Sequence, residues 1–478
     1  MILKRSIFKI GGTNMKFHNR EMELAELERV WKLSKKSAHL TLISGRRRVG
    51  KTELVKKFIS DKPNLYFFVG RKNLSLLLEE FSSISKQRIE KFPTIQKFDE
   101  WLDFLLNSVE DGTIICFDEF QNFKYVDESV FSDFQKIFDA QKTKLKVHII
   151  VTGSHVSLIN KIFSDEKESL FGRATEKYTV KPLLFHTISE ILSELSIKKL
   201  KERVEWYCVF GGIPKYYVNA EEQGLKGKDI LSALNVLLLR DFAPLKDEAR
   251  NVLIEEFGSE NSMYFSILEA VALGNSEMST IANKTGINIK SISKYLGLLV
   301  KDFNYLHYEV PVTEDKPWKS KKGRYFINDN FFRFWFKYVY RNRSEYEIGN
   351  YDMISNKILL DFNSFVGNGF EQIAKEALIA MNNKKKLPFE LIKVGRWWAR
   401  DKEIDLLGLN SSTKEALFVE CKWQEDVDAQ QVLEELKEKA QFVEWNKNKR
   451  TEYYAIFAKG FKKKISEKNV LLFDFHNL

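Results

Sequence analysis

The stretch that most constrains this chain runs from Ser44 to Phe58, SGRRRVGKTELVKKF, where Gly45 and Gly50 frame four residues and Lys51 and Thr52 follow. Ahead of it "AHLTLISG" is a short apolar run with β-branched residues, and after it "TELVKKFIS" repeats apolar residues at helical spacing. The order is strand, loop, helix. In that context the spacing is a phosphate mould: loop amides and the helix N-terminus converge on an anion, Lys51 reaches the β/γ oxygens, and Thr52 can ligate Mg²⁺. Arg46, Arg47, Arg48 and Val49 form the loop wall and Glu53 stands in the first helical turn. The implied ligand is ATP with Mg²⁺.

Such a loop needs a second, acidic strand, and "TIICFDEF" supplies it about 65 residues further on. Asp118 is placed to hold Mg²⁺ through water, and Glu119, just past the strand end, to polarise an attacking water as general base. A third buried run, "LKVHIIVTGSHVSLI", ends in Thr152, Gly153 and Ser154, where a hydroxyl can sense the γ-phosphate. Strands near Leu40, Leu65, Ile114, Ile149 and Val180, separated by helical segments, predict a doubly wound parallel sheet with its ligand at the strand C-terminal edge.

The chain has 478 residues, too many for one ordinary core, and suggests about three domains. With 44% hydrophobic and 30% charged residues it has a globular composition. No apolar run approaches a bilayer span, and "MILKRSIFKIGG" has too short an apolar stretch for a signal peptide, so a cytoplasmic protein without a membrane partner is expected. Met15 is an alternative start. Cys116, Cys208 and Cys421 are far apart and give neither a disulfide framework nor a zinc spacing. The net charge of +10 favours polyanionic partners such as nucleic acid, although nucleotide-binding proteins are also often basic.

These motifs resemble the archaeal-type P-loop ATPases of the AAA+/STAND group. "FHNREMELAEL" (Phe17 to Leu27) is similar to that family's N-terminal box, "SLFGRATEKYTVKPL" to its arginine-finger segment, and "FGGIPKYY" to its GxP motif. The resemblance implies that Asn19, Arg20 and Glu21 stand near the adenine and that Pro214 packs near the base. It also implies that Ser154 is the sensor and that Arg173 reaches the γ-phosphate of a neighbouring subunit in a homo-oligomer. Read from the residues alone, Arg173 is equally a solvated surface arginine after Gly172.

From about Phe185 to Gly258 the pattern is helical and reads as a lid over the nucleotide. "MYFSILEAVALGN", "EMSTIANKTG" and "NIKSISKYLGLLVKDF" then predict three short helices, with Gly286 at the turn before the third. On that helix Ile289, Ile292, Leu296 and Leu299 share a face, leaving Lys290, Ser291 and Lys294 outward, where a recognition helix meets nucleic acid. The runs "YLHYEVPV" and "RYFIND", joined by "TEDKPWKSKKG", add a basic wing, so the unit resembles a winged helix. It serves equally as an internal hinge with solvated lysines. The aromatic stripe "FFRFWFKYVY" is expected to pack rather than stack on bases.

"GFEQIAKEALIA" opens a last unit as an amphipathic helix bearing Glu371, followed by the strands "EIDLLGLN" and "EALFVECKW". Glu420 and Lys422 sit two apart and emerge on one face, with Asp405 on the neighbouring strand. Asp405 and Glu420 can share a hard cation, Mg²⁺ or Mn²⁺, and Lys422 can orient water or neutralise a developing phosphorane. Alternating Glu and Lys on an exposed strand is also an ordinary solvated pattern. The arrangement resembles the PD-(D/E)xK restriction-endonuclease-like superfamily, which implies Glu371 as the helical acid of the metal site; the usual proline ahead of Asp405 is absent. The expected chain is thus α/β: a P-loop NTPase core with a parallel sheet (1–185), a helical lid (186–262), a winged helix (263–345) and a C-terminal α/β restriction-endonuclease-like domain (346–478). Its expected partners are ATP and DNA or RNA. Two rivals remain, a regulatory switch and a protein remodeller whose last domain binds without cutting.

Overall fold

The structure is a computed structural model and describes residues 15–258 and 261–475. The segment ahead of Met15, with the alternative start it raises, lies outside the described residues. The chain divides into two compact units, one formed by the residues through Leu183 with Ile213–Val218 and Lys301–Phe303, the other by Leu184–Gly212, Asn219–Val300 and the chain from Asn304 on.

The first unit is built on strands β1 (His39–Ser44), β2 (Asn64–Phe68), β3 (Ile114–Asp118), β4 (His148–Gly153) and β5 (Glu176–Thr179). All neighbours pair in parallel, in the order β2-β3-β4-β1-β5. The central strands are buried along their whole length, which is why β3 and β4 read as continuous apolar runs rather than alternating ones. Helices Leu74–Ser85, Phe98–Ser108 and Ser129–Gln141 bury one apolar face each in an aromatic core. Phe67, Phe81, Trp101, Phe117, Phe120 and Phe134 are fully buried there, with Phe67 5.2 Å edge-on to Trp101 and 5.4 Å stacked on Phe117. β4 lies between the glycine-loop strand and the acidic strand, with Ser44 opposite Gly153 and Phe117 opposite Val151. That register brings the ends of β1, β3 and β4 to one edge.

The second unit opens with helices Phe185–Glu194 and Leu200–Phe210 and continues through Ile230–Leu237 and Glu248–Phe257. Helices Asn261–Ala272, Met278–Thr285 and Ile289–Lys301 follow, and Gly286 closes the second of them at φ 70°, a left-handed conformation that glycine adopts without steric cost. On the third helix Ile292, Leu296 and Leu299 are buried, but Ile289 is 51% exposed. The expected face is one residue too long, because Ile289 is the first helical residue and has no preceding turn to pack with. Strands β6 (Leu306–Glu309) and β7 (Arg324–Ile327) pair antiparallel as a ribbon.

The stripe after the ribbon packs, as expected: Phe331, Phe332, Phe334, Trp335 and Phe336 are buried, with a π-helical turn at Trp335–Val339. A long helix, Tyr351–Asn383, then precedes a mixed sheet, so the helix bearing Glu371 begins well before the stretch that signals it in the sequence. Its strands are β8 (Lys393–Ala399), β9 (Lys402–Asn410), β10 (Glu415–Lys422), β12 (Thr451–Ala458) and β14 (Val470–Phe473), in the order β14-β12-β10-β9-β8. β8, β9 and β10 are antiparallel neighbours, whereas β12 and β14 continue in parallel with β10. Helix Ala429–Ala440 crosses from β10 to β12 and buries Val432, Leu433 and Leu436 against Phe418 and Ile456; short strands β11 (Val427–Asp428) and β13 (Phe461–Lys463) pair beside it.

Candidate active site

At the edge of the first sheet the chain turns out of β1 through Gly45 at φ 151° and enters helix Lys51–Ile59 through Gly50 at φ 96°. A Cβ on Gly45 would lie 2.7 Å from the Val180 carbonyl oxygen, so the close approach of loop to β5 requires glycine there. Arg48 is also left-handed, at φ 66°, and Val49 is buried beneath the loop. The Lys51 ammonium is buried and donates to the carbonyls of Gly45 at 2.8 Å and Arg46 at 3.0 Å, which curls the lysine back over its own loop. Arg46 and Arg47 flank it half-buried, and Glu53 faces Lys56 at 4.0 Å on the helix.

Asp118 is the hub of this edge. Thr52 Oγ1 donates to Asp118 Oδ2 at 2.9 Å, and the Tyr66 hydroxyl donates to the same oxygen. Thr152 Oγ1 and the Glu119 amide, the latter at 3.0 Å, donate to Oδ1. Burial, with the Asp118 charge beside it, pushes the Tyr66 hydroxyl far up, so it stays a donor. Glu119 sits at φ 56°, which turns its side chain out of the strand direction; Ser154 Oγ donates to its Oε2 at 2.7 Å, and Gln121 donates to the same oxygen. Four residues from three segments, Thr52, Asp118, Glu119 and Ser154, are therefore in one hydrogen-bonded network. A hydroxyl and a carboxylate side by side fit an octahedral Mg²⁺ that keeps most of its water.

Behind the network, His155 Nδ1 caps helix Val156–Ser164, and burial together with the Arg71 and Arg47 charges lowers its pKa. The N-terminal box is tied to the loop: Arg20 is buried and donates to the carbonyls of Lys181 at 2.7 Å and Val49 at 3.4 Å, while Asn19 accepts from the Arg20 amide at 2.7 Å. Pro214 opens helix Pro214–Glu222 and is half-buried. Arg173 is engaged elsewhere, its Nε and Nη2 on Asp139 at 3.2 and 3.0 Å and its Nη1 on the Phe171 carbonyl.

In the second unit Asp405, Glu420 and Lys422 meet on adjacent strands, with Glu371 within electrostatic reach from the long helix. Asp405 accepts the Cys421 amide at 2.7 Å. Burial first, then the Glu371 and Glu420 charges, raises its carboxyl well above the usual range. Glu420 is held by Lys422 at 2.9 Å and by Lys439 at 2.9 Å on both oxygens, and Glu371 is held by Arg396 at 2.6 Å. Among the described residues no group of three His, Cys, Asp or Glu is arranged to hold a metal ion. Two of the three acids expected to hold a cation are thus paired with the chain's own cations. Lys439, Arg396, Tyr66 and Gln121 were not visible as site residues from spacing. Lys290, Ser291 and Lys294 are exposed on their helix.

A Methanocaldococcus jannaschii protein, "Uncharacterized protein MJECL04", is 35% identical over 460 residues, covering 96% of this chain and 99% of that one. The chain belongs to the MJECL04 family. Within it residues 17–220 match an ATPase domain predominantly from Archaea, and residues 335–440 match a family described as archaeal and bacterial proteins of unknown function. An "Uncharacterized ATP-binding protein MJ0423" of the same organism is 54% identical over 46 residues, 10% of this chain and 75% of that protein. The Walker-type ATPase PABY2304 of Pyrococcus abyssi superposes with TM-score 0.51 at 22% identity over 67% of this chain and 96% of that one, a likeness of fold. The domain match and the network around Asp118 together support ATP binding and hydrolysis. No helix among the described residues is long and apolar enough to cross a membrane.

Proposed function

We propose that this chain is an AAA+/STAND-like ATPase that binds nucleic acid and couples ATP hydrolysis to its nuclease-like terminal domain. The observation that carries the ATPase half is the hydrogen-bonded set Thr52, Asp118, Glu119 and Ser154 beside a glycine loop with its lysine. Bound Mg²⁺ supplies charge to the β/γ oxygens of ATP. Thr52 and Asp118 hold the ion's shell, and Lys51 leaves its loop carbonyls for phosphate oxygens. Glu119 takes the proton from the attacking water, and Ser154, already on its carboxylate, relays the state of the γ-phosphate. Arg173 completes the site of a neighbouring copy in a homo-oligomer only after leaving Asp139. Residues 186–262 serve as lid and 263–345 as a winged helix whose Lys290, Ser291 and Lys294 meet the nucleic acid.

The terminal domain's role rests on Asp405, Glu420 and Lys422 meeting on β9 and β10. A second reading, in which this domain binds without cutting, is favoured by the lysines and arginine that already neutralise its acids. The deciding experiment incubates the full chain with labelled single-stranded, duplex and branched DNA and with RNA, in Mg²⁺ or Mn²⁺, with and without ATP. Cutting that vanishes in Lys422→Ala and changes with ATP is expected of a nuclease. ATP hydrolysis without cutting, and with salt-dependent nucleic-acid binding, selects the second reading.

A further inference from the structure

The ribbon and the terminal sheet belong to the same compact unit and meet at Arg396 of β8. Its side chain faces two acids: Nη2 lies 2.6 Å from Glu371 Oε2 on the long helix, and Nε lies 4.0 Å from Glu309 Oε2 on β6. The guanidinium also covers the Phe326 ring of β7, 4.7 Å from its centroid, and the Arg396 carbonyl accepts the Val312 amide of the ribbon loop at 2.9 Å. Arg396 therefore holds the ribbon by side chain and backbone while it occupies the charge of Glu371, beside the Arg324–Glu403 ion pair at 3.0 Å and the Trp398 indole on the Lys322 carbonyl at 3.0 Å.

The charges at this node are incompletely matched. Glu309 Oε2 is buried without a hydrogen-bond partner, as are Nε and Nη2 of Arg333, whose guanidinium lies within electrostatic reach of Glu371 and Arg396. Lys375 stands 3.6 Å and His307 3.4 Å from the other oxygen of Glu309, so the ribbon acid has several basic neighbours while the helical acid has been lent one. Buried polar atoms left unmatched are costly, and they persist where another arrangement of the same groups uses them.

We infer that Arg396 is a positioning residue that acts as an internal counter-ion: with the ribbon docked it occupies Glu371, and a divalent cation competes with it for that carboxylate. This rests on reading Glu371, Asp405 and Glu420 as a cation-binding set. It accounts for three acids that feel one another's charge without being gathered around a common point. It also makes ribbon docking and cation binding reciprocal, because each weakens the other by the same factor. A ribbon lifted from β8 takes the anchor of Arg396 with it and frees Glu371 to turn toward Asp405.

The test uses the full chain without nucleotide and Mn²⁺ alone as probe, with free Mn²⁺ read by electron paramagnetic resonance. Arg396→Gln is expected to bind Mn²⁺ about tenfold tighter than wild type, a coupling of ordinary size. Arg396→Lys should stay near wild type, and Asp405→Asn in the Arg396→Gln background should remove the gain. In wild type, saturating Mn²⁺ should speed amide exchange across residues 310–323, Val312 included. Equal affinities in wild type and Arg396→Gln, both abolished by Asp405→Asn, would overturn the counter-ion role and leave the cation-set reading standing. Absence of any Asp405-dependent binding in both proteins overturns the two together. If Arg396→Gln does not fold, the exchange measurement on wild type decides alone, and an unchanged rate at saturating Mn²⁺ refutes the inference.

Discussion

Asp118 in the first unit and Asp405 in the second are both shielded aspartates on an α/β sheet, and their neighbours differ in kind. Around Asp118 the donors are neutral: the hydroxyls of Thr52, Tyr66 and Thr152 and a backbone amide. Around Asp405 and its two companion acids the balance is struck by full charges, Arg396 on Glu371 and Lys422 and Lys439 on Glu420. A hydroxyl satisfies a carboxylate's lone pairs without cancelling its charge, so the first site keeps its attraction for a cation. Ion pairs cancel the charge, so the second site must exchange one cation for another. Carboxylates alone do not make a metal site.

The contrast is broken most severely at Glu119. Glu119→Gln keeps the Ser154 hydrogen bond but removes the base, so ATP hydrolysis should fall by about 10²–10⁴ while nucleotide binding persists. Asp405→Asn should leave hydrolysis unchanged. Phosphate release and equilibrium nucleotide binding on the same preparations check both, and a loss of hydrolysis in Asp405→Asn would mean that the two acidic sites are not separate.

Smaller effects separate hydroxyl from cation. Tyr66→Phe removes one of three hydroxyls from Asp118 and should cost about 1 kcal/mol of unfolding free energy without ligand. Mg²⁺ with ATP should recover most of it, since the ion takes over the bared lone pair. Lys439→Met leaves buried Glu420 with Lys422 alone and should cost about 1–3 kcal/mol, which nucleotide does not restore. Urea denaturation with and without Mg²⁺-ATP reads both; recovery of Lys439→Met by nucleotide would defeat the distinction.

How much of this was legible in the sequence follows from distance along the chain. The glycine loop, the acidic strand end and the Thr-Gly-Ser strand end are local signals, and the structure brings Thr52, Asp118, Glu119 and Ser154 into one network. Tyr66 was hidden because it reaches Asp118 only through the pairing of β2 with β3, where Tyr66 stands opposite Cys116. Lys439 lies 19 residues past Glu420 on a crossover helix, and its lysine looked like any solvated helical charge. Arg396 is legible only once β6, β8 and the long helix are packed, since Glu309 and Glu371 come from separate segments. Ile289 departs from the expected face for a local reason: a helical face set by period continues to the first residue, but burial does not.

The mildest test of the comparison is pH, and its sign follows from which groups are kept neutral. His148, buried in β4, accepts or donates at Nε2 with Thr41 at 2.8 Å and leaves Nδ1 without a partner. Burial, and then the neighbouring His39, lowers its pKa to about 3. A depressed folded pKa means that this histidine's stabilising contribution is present above its unfolded value of about 6.5 and is lost as pH falls toward 3. Glu309 in the second unit is the opposite sort of group: burial resists its ionisation, but His307 and Lys375 outweigh that and hold its carboxyl at about 2. Its contribution is intact above the unfolded value near 4.5 and fades only below it. Stepping from pH 7 to pH 5.5 should therefore weaken the first sheet by about 1 kcal/mol through His148 and leave the second unaffected by Glu309. Amide exchange of β1 and β4 against β6 and β7 at the two pH values measures the difference, and His148→Met should flatten the first response. Equal softening of both sheets at pH 5.5 would show that acid acts on the charge-balanced unit as readily as on the hydroxyl-lined one.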